Sequence, residues 1–197
     1  MGSYLNPGNF SFCGSLRSKI YVDKSQLIAK TNEVLCTEQR YICVSRPRRF
    51  GKSMAANMLA AYYNRSENTE ELFRGLKISE APTFHQHLNQ YDVIKINMQE
   101  FLSTTKSVEE MLKMLSDYLV WDLKETYAAV RLRDEKNLIQ VMKDVFAYTG
   151  HPFVILIDEW DCLFREYKQN VDAQKAYLDF LRAWLKDKAY VALAYMT

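Results

Sequence analysis

Short apolar runs alternate along the chain with longer segments in which apolar residues recur at helical spacing. The apolar runs predict four strands, at residues 41–45, 92–97, 153–157 and 190–195. The longer segments predict helices at residues 51–63, 106–128, 134–148 and 173–187. A shorter helix, capped by Asp23 or Ser25, is predicted to run to about Lys30. Because strands alternate with helices, the pattern predicts an α/β fold, a three-layer αβα sandwich around a mostly parallel sheet.

The domain organisation is predicted to be simple. No internal repeat and no linker rich in Pro, Gly or Ser divides the 197 residues. Residues 1–19, which are rich in Gly, Ser and Asn, are expected to be a loosely ordered lead-in, and residues 20–197 to form one domain.

Composition and charge exclude several classes of function. The 26 basic and 24 acidic residues leave a net charge of +2, which gives no electrostatic case for wholesale binding to nucleic acid or to a membrane. The four cysteines have no CxxC or metal-ligand spacing, so we expect reduced thiols and a cytoplasmic setting. Cys43 lies in an apolar run and is expected to be buried. His85 and His87 lack further ligands at suitable spacing, and we expect a loop or surface role for them.

The first candidate for chemistry lies between the strand at 41–45 and the helix at 51–63. The segment Ser45-Arg-Pro-Arg-Arg-Phe-Gly-Lys-Ser53 matches the second half of the phosphate-loop pattern GxxxxGK[ST]. A loop that follows a strand and opens a helix presents backbone N–H groups and the positive end of the helix to a phosphate. Gly51 would allow close approach, Lys52 would reach the β- and γ-phosphates, and the Ser53 hydroxyl would ligate Mg²⁺. The competing interpretation is a basic turn at the start of a helix.

The first half of this loop departs from the pattern, because Arg46 stands where the first glycine is expected. Either Arg46 adopts a strained conformation or the loop follows a variant path stiffened by Pro47, and we favour the second. Arg48 and Arg49 would either assist the phosphates or face water.

The second candidate is the acidic end of the strand at 153–157. This strand is continuously apolar, as expected for a strand covered on both faces, and it leads directly into Asp158 and Glu159. Ligands of open α/β sheets gather at the carboxyl ends of the strands. Asp158 therefore suits the magnesium shell and Glu159 a general base for the attacking water. Asp161 would either contact the metal or cap the next turn.

Four segments carry a family resemblance that covers nearly the whole chain from about Ile20. They are Tyr21-Val-Asp-Lys-Ser25, Ser45-Arg-Pro-Arg-Arg-Phe-Gly-Lys-Ser53, Leu72-Phe-Arg-Gly-Leu-Lys-Ile78 and Leu156-Ile-Asp-Glu-Trp-Asp161. In this order they resemble the bacterial AAA-ATPase-like family, whose phosphate loop itself lacks the first glycine. Trp160 stands where that family usually has Tyr.

The resemblance implies a P-loop ATPase with Walker A and Walker B segments, of the type with an additional strand between them. The implied cofactors are ATP and Mg²⁺. The implied nucleotide-binding residues are Arg46, Pro47, Arg48, Arg49, Phe50, Gly51, Lys52, Ser53 and Met54. Thr197 would sense the γ-phosphate. Asp23 and Lys24 would lie near the adenine or ribose, although capping and surface charge explain them equally well.

The same resemblance implies a strand order in which the fourth strand inserts between the first and the third. The fifth strand of such a sheet is not found in the sequence, so we expect strand 41–45 to be a hydrophobic edge. Members of the family often continue into a nuclease-like domain of the PD-(D/E)XK type, which would make nucleic acid a partner.

Two functions remain open from the sequence. In one, the chain hydrolyses ATP and drives or regulates a partner domain. In the other, it binds nucleotide as a switch with negligible turnover.

Overall fold

A computed structural model describes residues 2–45 and 50–197. The phosphate-loop residues Arg46, Pro47, Arg48 and Arg49 lie outside the described residues. The strands are β1 (Tyr41–Cys43), β2 (Asp92–Asn97), β3 (Phe153–Asp158) and β4 (Val191–Met196). The α-helices are α1 (Phe10–Leu16), α2 (Gln26–Val34), α3 (Lys52–Tyr63), α4 (Glu70–Phe73), α5 (Phe84–His87), α6 (Met98–Thr104), α7 (Val108–Thr126), α8 (Leu138–Thr149), α9 (Cys162–Glu166) and α10 (Val171–Leu185). A 3₁₀ helix spans Lys77–Glu80.

The strands form one parallel sheet in the order β1-β4-β3-β2. Cys43 pairs with Met196, Met196 with Ile157, and Asn97 with Asp158. Because the pairs are parallel, the carboxyl ends of all four strands share one rim of the sheet. The α/β class, the parallel sheet and the insertion of the fourth strand between the first and the third are confirmed, and the fold is consistent with a P-loop NTPase.

Helices cover both faces of the sheet and produce two apolar cores. On one face Val93, Val154 and Leu156 of the sheet pack with side chains of α1 to α5. On the other face Ile94 and Ile155 pack with side chains of α6, α7, α8 and α10. Successive side chains of a strand point to opposite faces, so alternate residues of the fully buried β3 enter the two cores in turn. This confirms the three-layer sandwich.

The loose order expected of the lead-in is wrong for residues 2–16. Leu5 is fully buried and forms an antiparallel bridge with Ile94 of β2. The Asn6 N–H donates to the carbonyl of Val93, and the Lys95 N–H donates to the carbonyl of Tyr4. The physical reason is that β2 lies at an edge of the sheet, where its outward backbone groups need partners. The segment supplies these bonds, while Phe12 of α1 enters the core on the α3 face.

The predicted helix ends differ from the observed ones by a few residues. Helix α8 begins at Leu138 instead of residue 134, because the Asn137 side chain caps it by accepting from the Gln140 N–H. It stops where the sequence predicted, since Gly150 adopts a left-handed conformation with φ of 69°. The short helices between Glu70 and His87 were not predicted, because each is too short to show a helical period.

The first strand is shorter than predicted and more exposed to solvent. It comprises Tyr41–Cys43, and Cys43 is exposed, so its predicted burial is wrong. Within the described part of the chain β1 pairs only with β4, which leaves it at the other edge of the sheet. No helix in the described ranges is long and apolar enough to cross a membrane.

Candidate functional site

Three strand ends place the candidate residues on one rim of the sheet. The Val44 N–H, just after β1, donates to the carbonyl of Met196 in β4, and the Thr197 N–H donates to the carbonyl of Ile157 in β3. Neighbouring strands lie about 4.8 Å apart, so the ends of β1 and β3 are separated by about 10 Å across β4. That distance is comparable with the length of a triphosphate carrying a hydrated cation.

Two of the predicted site residues project to the same face of the sheet as α3. Leu156 and Tyr195 belong to the core on that face, and side chains two positions apart in a strand share a face. Asp158 and Thr197 follow them by two residues, and both are nearly inaccessible, 6% and 1% exposed. The helix that the phosphate loop opens therefore lies on the face that receives these two side chains.

The described end of the phosphate loop has the backbone that such a loop needs. Gly51 is left-handed, with φ of 75° and ψ of 32°, and helix α3 begins at Lys52 directly after it. Only glycine adopts this conformation without steric cost, so the glycine is explained by the turn itself. Phe50 is 54% exposed, and Ser53 and Met54 occupy the first turn of α3. The N–H groups of that turn have no partners within the helix.

A cavity of about 360 Å³ opens beside this turn. It is lined by Lys24, Leu27, Val44, Phe50, Gly51, Lys52, Ala55 and Tyr195. The walls combine apolar side chains with two lysines, and a mostly apolar lining with a few polar groups is typical of small-molecule sites.

Lys24 reaches the loop from the segment before α2. Its Nζ donates to the carbonyl of Phe50 at 2.5 Å, and a Cβ added at Gly51 would lie 2.7 Å from that Nζ. Asp23 Oδ2 accepts from the Lys77 N–H at 2.9 Å. Lys24 therefore lies over the loop backbone, a contact that the sequence pattern alone could not show.

Charges from the phosphate loop and from the acidic segment both act on the Cys43 thiol. Burial raises the pKa of the Cys43 thiol and the charge of Asp161 raises it further, while the charge of Lys52 and a hydrogen bond from Trp160 lower it. Such electrostatic effects fall off with distance. Lys52 and Asp161 are therefore both within electrostatic range of this thiol, although more than a hundred residues separate them in the sequence.

The acidic segment begins with Asp158, whose Oδ1 accepts from the Glu159 N–H at 3.1 Å. Lys95 of β2, two residues before Asn97, lies close enough to interact with Asp158. Burial lowers the pKa of Lys95, while Asp158 and Glu100 act in the opposite direction. Sequence reasoning missed Lys95, although a lysine inside the apolar run Asp92–Asn97 was a visible signal.

Glu159 and Asp161 are both ion-paired with Arg165 of α9. Asp161 occupies the capping position of α9 but makes no side-chain capping bond, so the predicted cap is replaced by this ion pair. Arg165 was not predicted, although its spacing of four residues from Asp161 is the spacing of paired charges on a helix.

Thr197 has an unsatisfied side chain. Its backbone N–H and carbonyl are bonded, to the Ile157 carbonyl and the Trp160 N–H, but its buried Oγ1 has no hydrogen-bond partner among the described residues. Burying a hydroxyl without a partner costs about 1–3 kcal/mol. An orphaned donor beside Asp158 suits a group that bonds a ligand oxygen.

The donor set also suits magnesium. Mg²⁺ prefers oxygen ligands and is usually held by one or two protein groups together with substrate phosphates and water. Ser53 and Asp158 match this requirement. No group of three or more His, Cys, Asp or Glu side chains that could hold a metal occurs in residues 2–45 and 50–197, so a closed protein cage is not formed there. His87 is hydrogen-bonded through Nδ1 to Tyr91.

Comparison with known proteins gives one finding. The model of the AAA-ATPase-like family, described as "Predicted AAA-ATPase", matches residues 15–193. Neither the search of curated proteins nor the search of solved structures found a significant match.

Proposed function

The chain belongs to the AAA-ATPase-like family, and from this premise we propose that it binds ATP with Mg²⁺ and hydrolyses it. The observation that carries the proposal is the common rim. A left-handed Gly51 opens α3 on the face of the sheet to which Asp158 and the unsatisfied Thr197 side chain project. Family membership alone supports nucleotide binding in general terms.

The phosphate chain would lie along the first turn of α3. N–H groups that have no partner within the helix and the positive end of the helix favour an anion there. Lys52 would neutralise the β- and γ-phosphates. Arg46 to Arg49, which lie outside the described residues, would complete the cradle as the sequence predicts. Phe50 and Met54 would contact the nucleotide.

Ser53 and Asp158 are the residues that would hold Mg²⁺, since a hydroxyl and a carboxylate are oxygen ligands of the kind this cation prefers. The bound cation would supply neutralisation of the charge that builds up on the phosphate oxygens during transfer.

The residues after Asp158 would carry out the chemistry. Glu159 would orient the attacking water and accept its proton, and the Thr197 hydroxyl would bond a γ-phosphate oxygen. A partner domain that acts on nucleic acid, as the resemblance implies, stays a prediction.

A phosphate-release assay combined with thermal shift tests the proposal. For the unsubstituted chain we expect ATP with Mg²⁺ to raise the melting temperature and phosphate to be released. Lys52→Ala should lose the thermal shift, because the charge that pairs with the phosphates is gone. Lys113→Ala is the matched control, since Lys113 is 74% exposed on α7, on the opposite face of the sheet. An unchanged shift in Lys52→Ala refutes the assigned site.

Glu159→Gln separates hydrolysis from the second candidate, a nucleotide switch. The observation that favours a switch is that Arg165 already engages the Glu159 carboxylate. Hydrolysis predicts that Glu159→Gln keeps the thermal shift and loses turnover by about 100-fold or more. Equal turnover of Glu159→Gln and the unsubstituted chain would remove Glu159 as the base, and absent turnover in both would favour the switch.

A further inference from the structure

Arg165 bridges the two carboxylates that follow Asp158. One terminal nitrogen, Nη2, donates to Glu159 Oε2, and the other, Nη1, donates to Asp161 Oδ1. Asp161 lies four residues before Arg165, so this second bond holds the guanidinium against the start of α9. Asp161 therefore fixes the position of the guanidinium, and the guanidinium in turn fixes the Glu159 carboxylate.

The turn after β3 fixes the backbone of Glu159, so only the side chain of this residue is free to move. Glu159 is left-handed, with φ of 53°, which costs a residue other than glycine about 1–3 kcal/mol. Its N–H donates to Asp158 Oδ1 and its carbonyl accepts from the Cys162 N–H at 3.0 Å. The Cα position is thus set by the turn, while three side-chain torsions remain free to rotate. Arg165 removes that freedom through Oε2.

Partial burial makes this bridge stronger than an ordinary surface pair. The side chains of Arg165 and Glu159 are 31% and 28% exposed, whereas those of Lys113 and Asp117 are 74% and 53% exposed. Charges shielded from water interact more strongly and are less screened by salt. Burial lowers the pKa of Arg165, but the bonds and charges of Glu159 and Asp161 outweigh it and the pKa is raised.

We propose that Arg165 is the positioning residue for Glu159: it fixes the carboxylate through Oε2 and leaves Oε1 to direct the attacking water. The observed hydrogen bond between Arg165 and the Glu159 carboxylate is made through Oε2. This inference rests on the proposed hydrolysis of ATP.

Arg165 keeps its proton throughout the reaction. The water oxygen forms a bond to the γ-phosphorus, the bond from that phosphorus to the bridging oxygen of ADP breaks with its electron pair on ADP, and Glu159 takes the water proton. The reaction needs no oxidant, reductant or further reactant. Misplacement of a reacting group by about 1 Å can cost about 100-fold in rate, so an untethered Glu159 should be slow.

The test compares Arg165→Met with Arg165→Lys and with the control Arg74→Met, which breaks an exposed pair with Glu71. For Arg165→Met we expect kcat to fall about 10- to 100-fold while the Kd for ATP with Mg²⁺, measured by calorimetry, changes less than about twofold. Arg165→Lys should restore part of kcat, because an ammonium can hold Oε2 but lacks the rigid planar fork that orients the guanidinium between the two carboxylates.

The decisive readout is the same substitution in the Glu159→Gln background. If Arg165 acts through Glu159, Arg165→Met should lower the residual turnover no further, whereas a merely structural role would lower it in both backgrounds. Turnover that is unchanged or raised in Arg165→Met alone overturns the inference. So does an equal loss in both backgrounds.

The failure of the proposed function is seen separately. If the unsubstituted chain does not bind ATP, the proposed function and the role of Arg165 are both overturned. If it binds ATP with Mg²⁺ but releases no phosphate, the role of Arg165 is overturned while nucleotide binding stands.

Discussion

Gly51 is the residue on which the phosphate turn depends most directly. It combines a left-handed backbone with close contact to Lys24, whose Nζ bonds the carbonyl of the preceding residue. A side chain at this position meets two obstacles, one from the backbone conformation and one from the lysine. The strained backbone would lower the free energy of unfolding, whereas displacement of the lysine would change the surface that contacts a phosphate.

Gly51→Ala should therefore reduce both stability and nucleotide binding. The left-handed backbone costs an L-residue about 1–2 kcal/mol. The new Cβ, 2.7 Å from Lys24 Nζ, would also displace the lysine from the Phe50 carbonyl. Gly75→Ala is the control, because Gly75 has nearly the same φ, 78°, with nothing within 4 Å of the added Cβ. We expect denaturant melts to show a loss in both variants, and calorimetry to show weaker ATP binding only in Gly51→Ala. Equal ATP affinity in the two would show that the turn is not part of the site.

At the scale of elements, buried carboxylates on the helices accept hydrogen bonds from segments without regular secondary structure and fix them to the rest of the fold. Asp144 of α8 accepts from the backbone N–H and from Nε of Arg133, at 2.9 and 2.8 Å, and from Gln140 at 2.8 Å. These bonds fix the connection between α7 and α8. Burial alone would raise the pKa of Asp144, but the hydrogen bonds and charge of Arg133 outweigh it and lower the pKa.

Asp144→Asn should destabilise the protein in a pH-dependent way. A carboxyl whose pKa is lowered by folding contributes stability above its unfolded pKa, about 3.9, and loses it as the pH falls further. At pH 7 we expect a loss of about 1–3 kcal/mol in the free energy of unfolding, shrinking as the pH falls below about 4. Urea melts of both proteins measure the difference, with Asp117→Asn at the surface as the control. A difference that is constant from pH 3 to pH 7 would contradict the ionic origin.

The N-terminal segment is a second element held this way. The N–H groups of Tyr4 and Leu5 donate to Asp122 Oδ2 at 2.7 and 3.0 Å, and Leu5 is fully buried against the edge of β2. The segment therefore closes the sheet on the side opposite β1.

Leu5→Ala should cost about 2–5 kcal/mol, the range for removing a large apolar side chain from a packed core. Leu178→Ala, at a position 40% exposed, should stay within about 0.5 kcal/mol. Thermal and denaturant unfolding measure both. A loss at Leu5 as small as that at Leu178 would mean that residues 2–6 do not pack on β2 in solution.

At the scale of the whole molecule, the layers and the strand order could be predicted from the sequence. The side-chain and backbone contacts that hold distant segments together could not. The buried run Phe153–Asp158 and the helical periods are local signals, and the resemblance supplied the order of the strands. The bonds of residues 4–6 to β2, the bridge from Arg165 and the position of Lys24 join residues far apart in sequence or depend on side-chain direction. No local period records such contacts, which is why the lead-in was expected to be loose. Cys43 was expected to be buried because it lies in an apolar run, whereas β1 is an edge strand of the sheet and leaves Cys43 exposed.

The central claim is that Lys52 and Asp158 serve one ligand at a common rim. Calorimetric titration of ATP, with and without Mg²⁺, tests it most directly in the unsubstituted chain, Lys52→Ala and Asp158→Asn. Asparagine can still accept the Glu159 N–H, so the fold around Asp158 should persist. We predict that Mg²⁺ tightens ATP binding in the unsubstituted chain, that Asp158→Asn loses this increment but keeps binding without Mg²⁺, and that Lys52→Ala weakens both. Full retention of the Mg²⁺ increment in Asp158→Asn, with ATP binding lost in Lys52→Ala, would contradict a shared site.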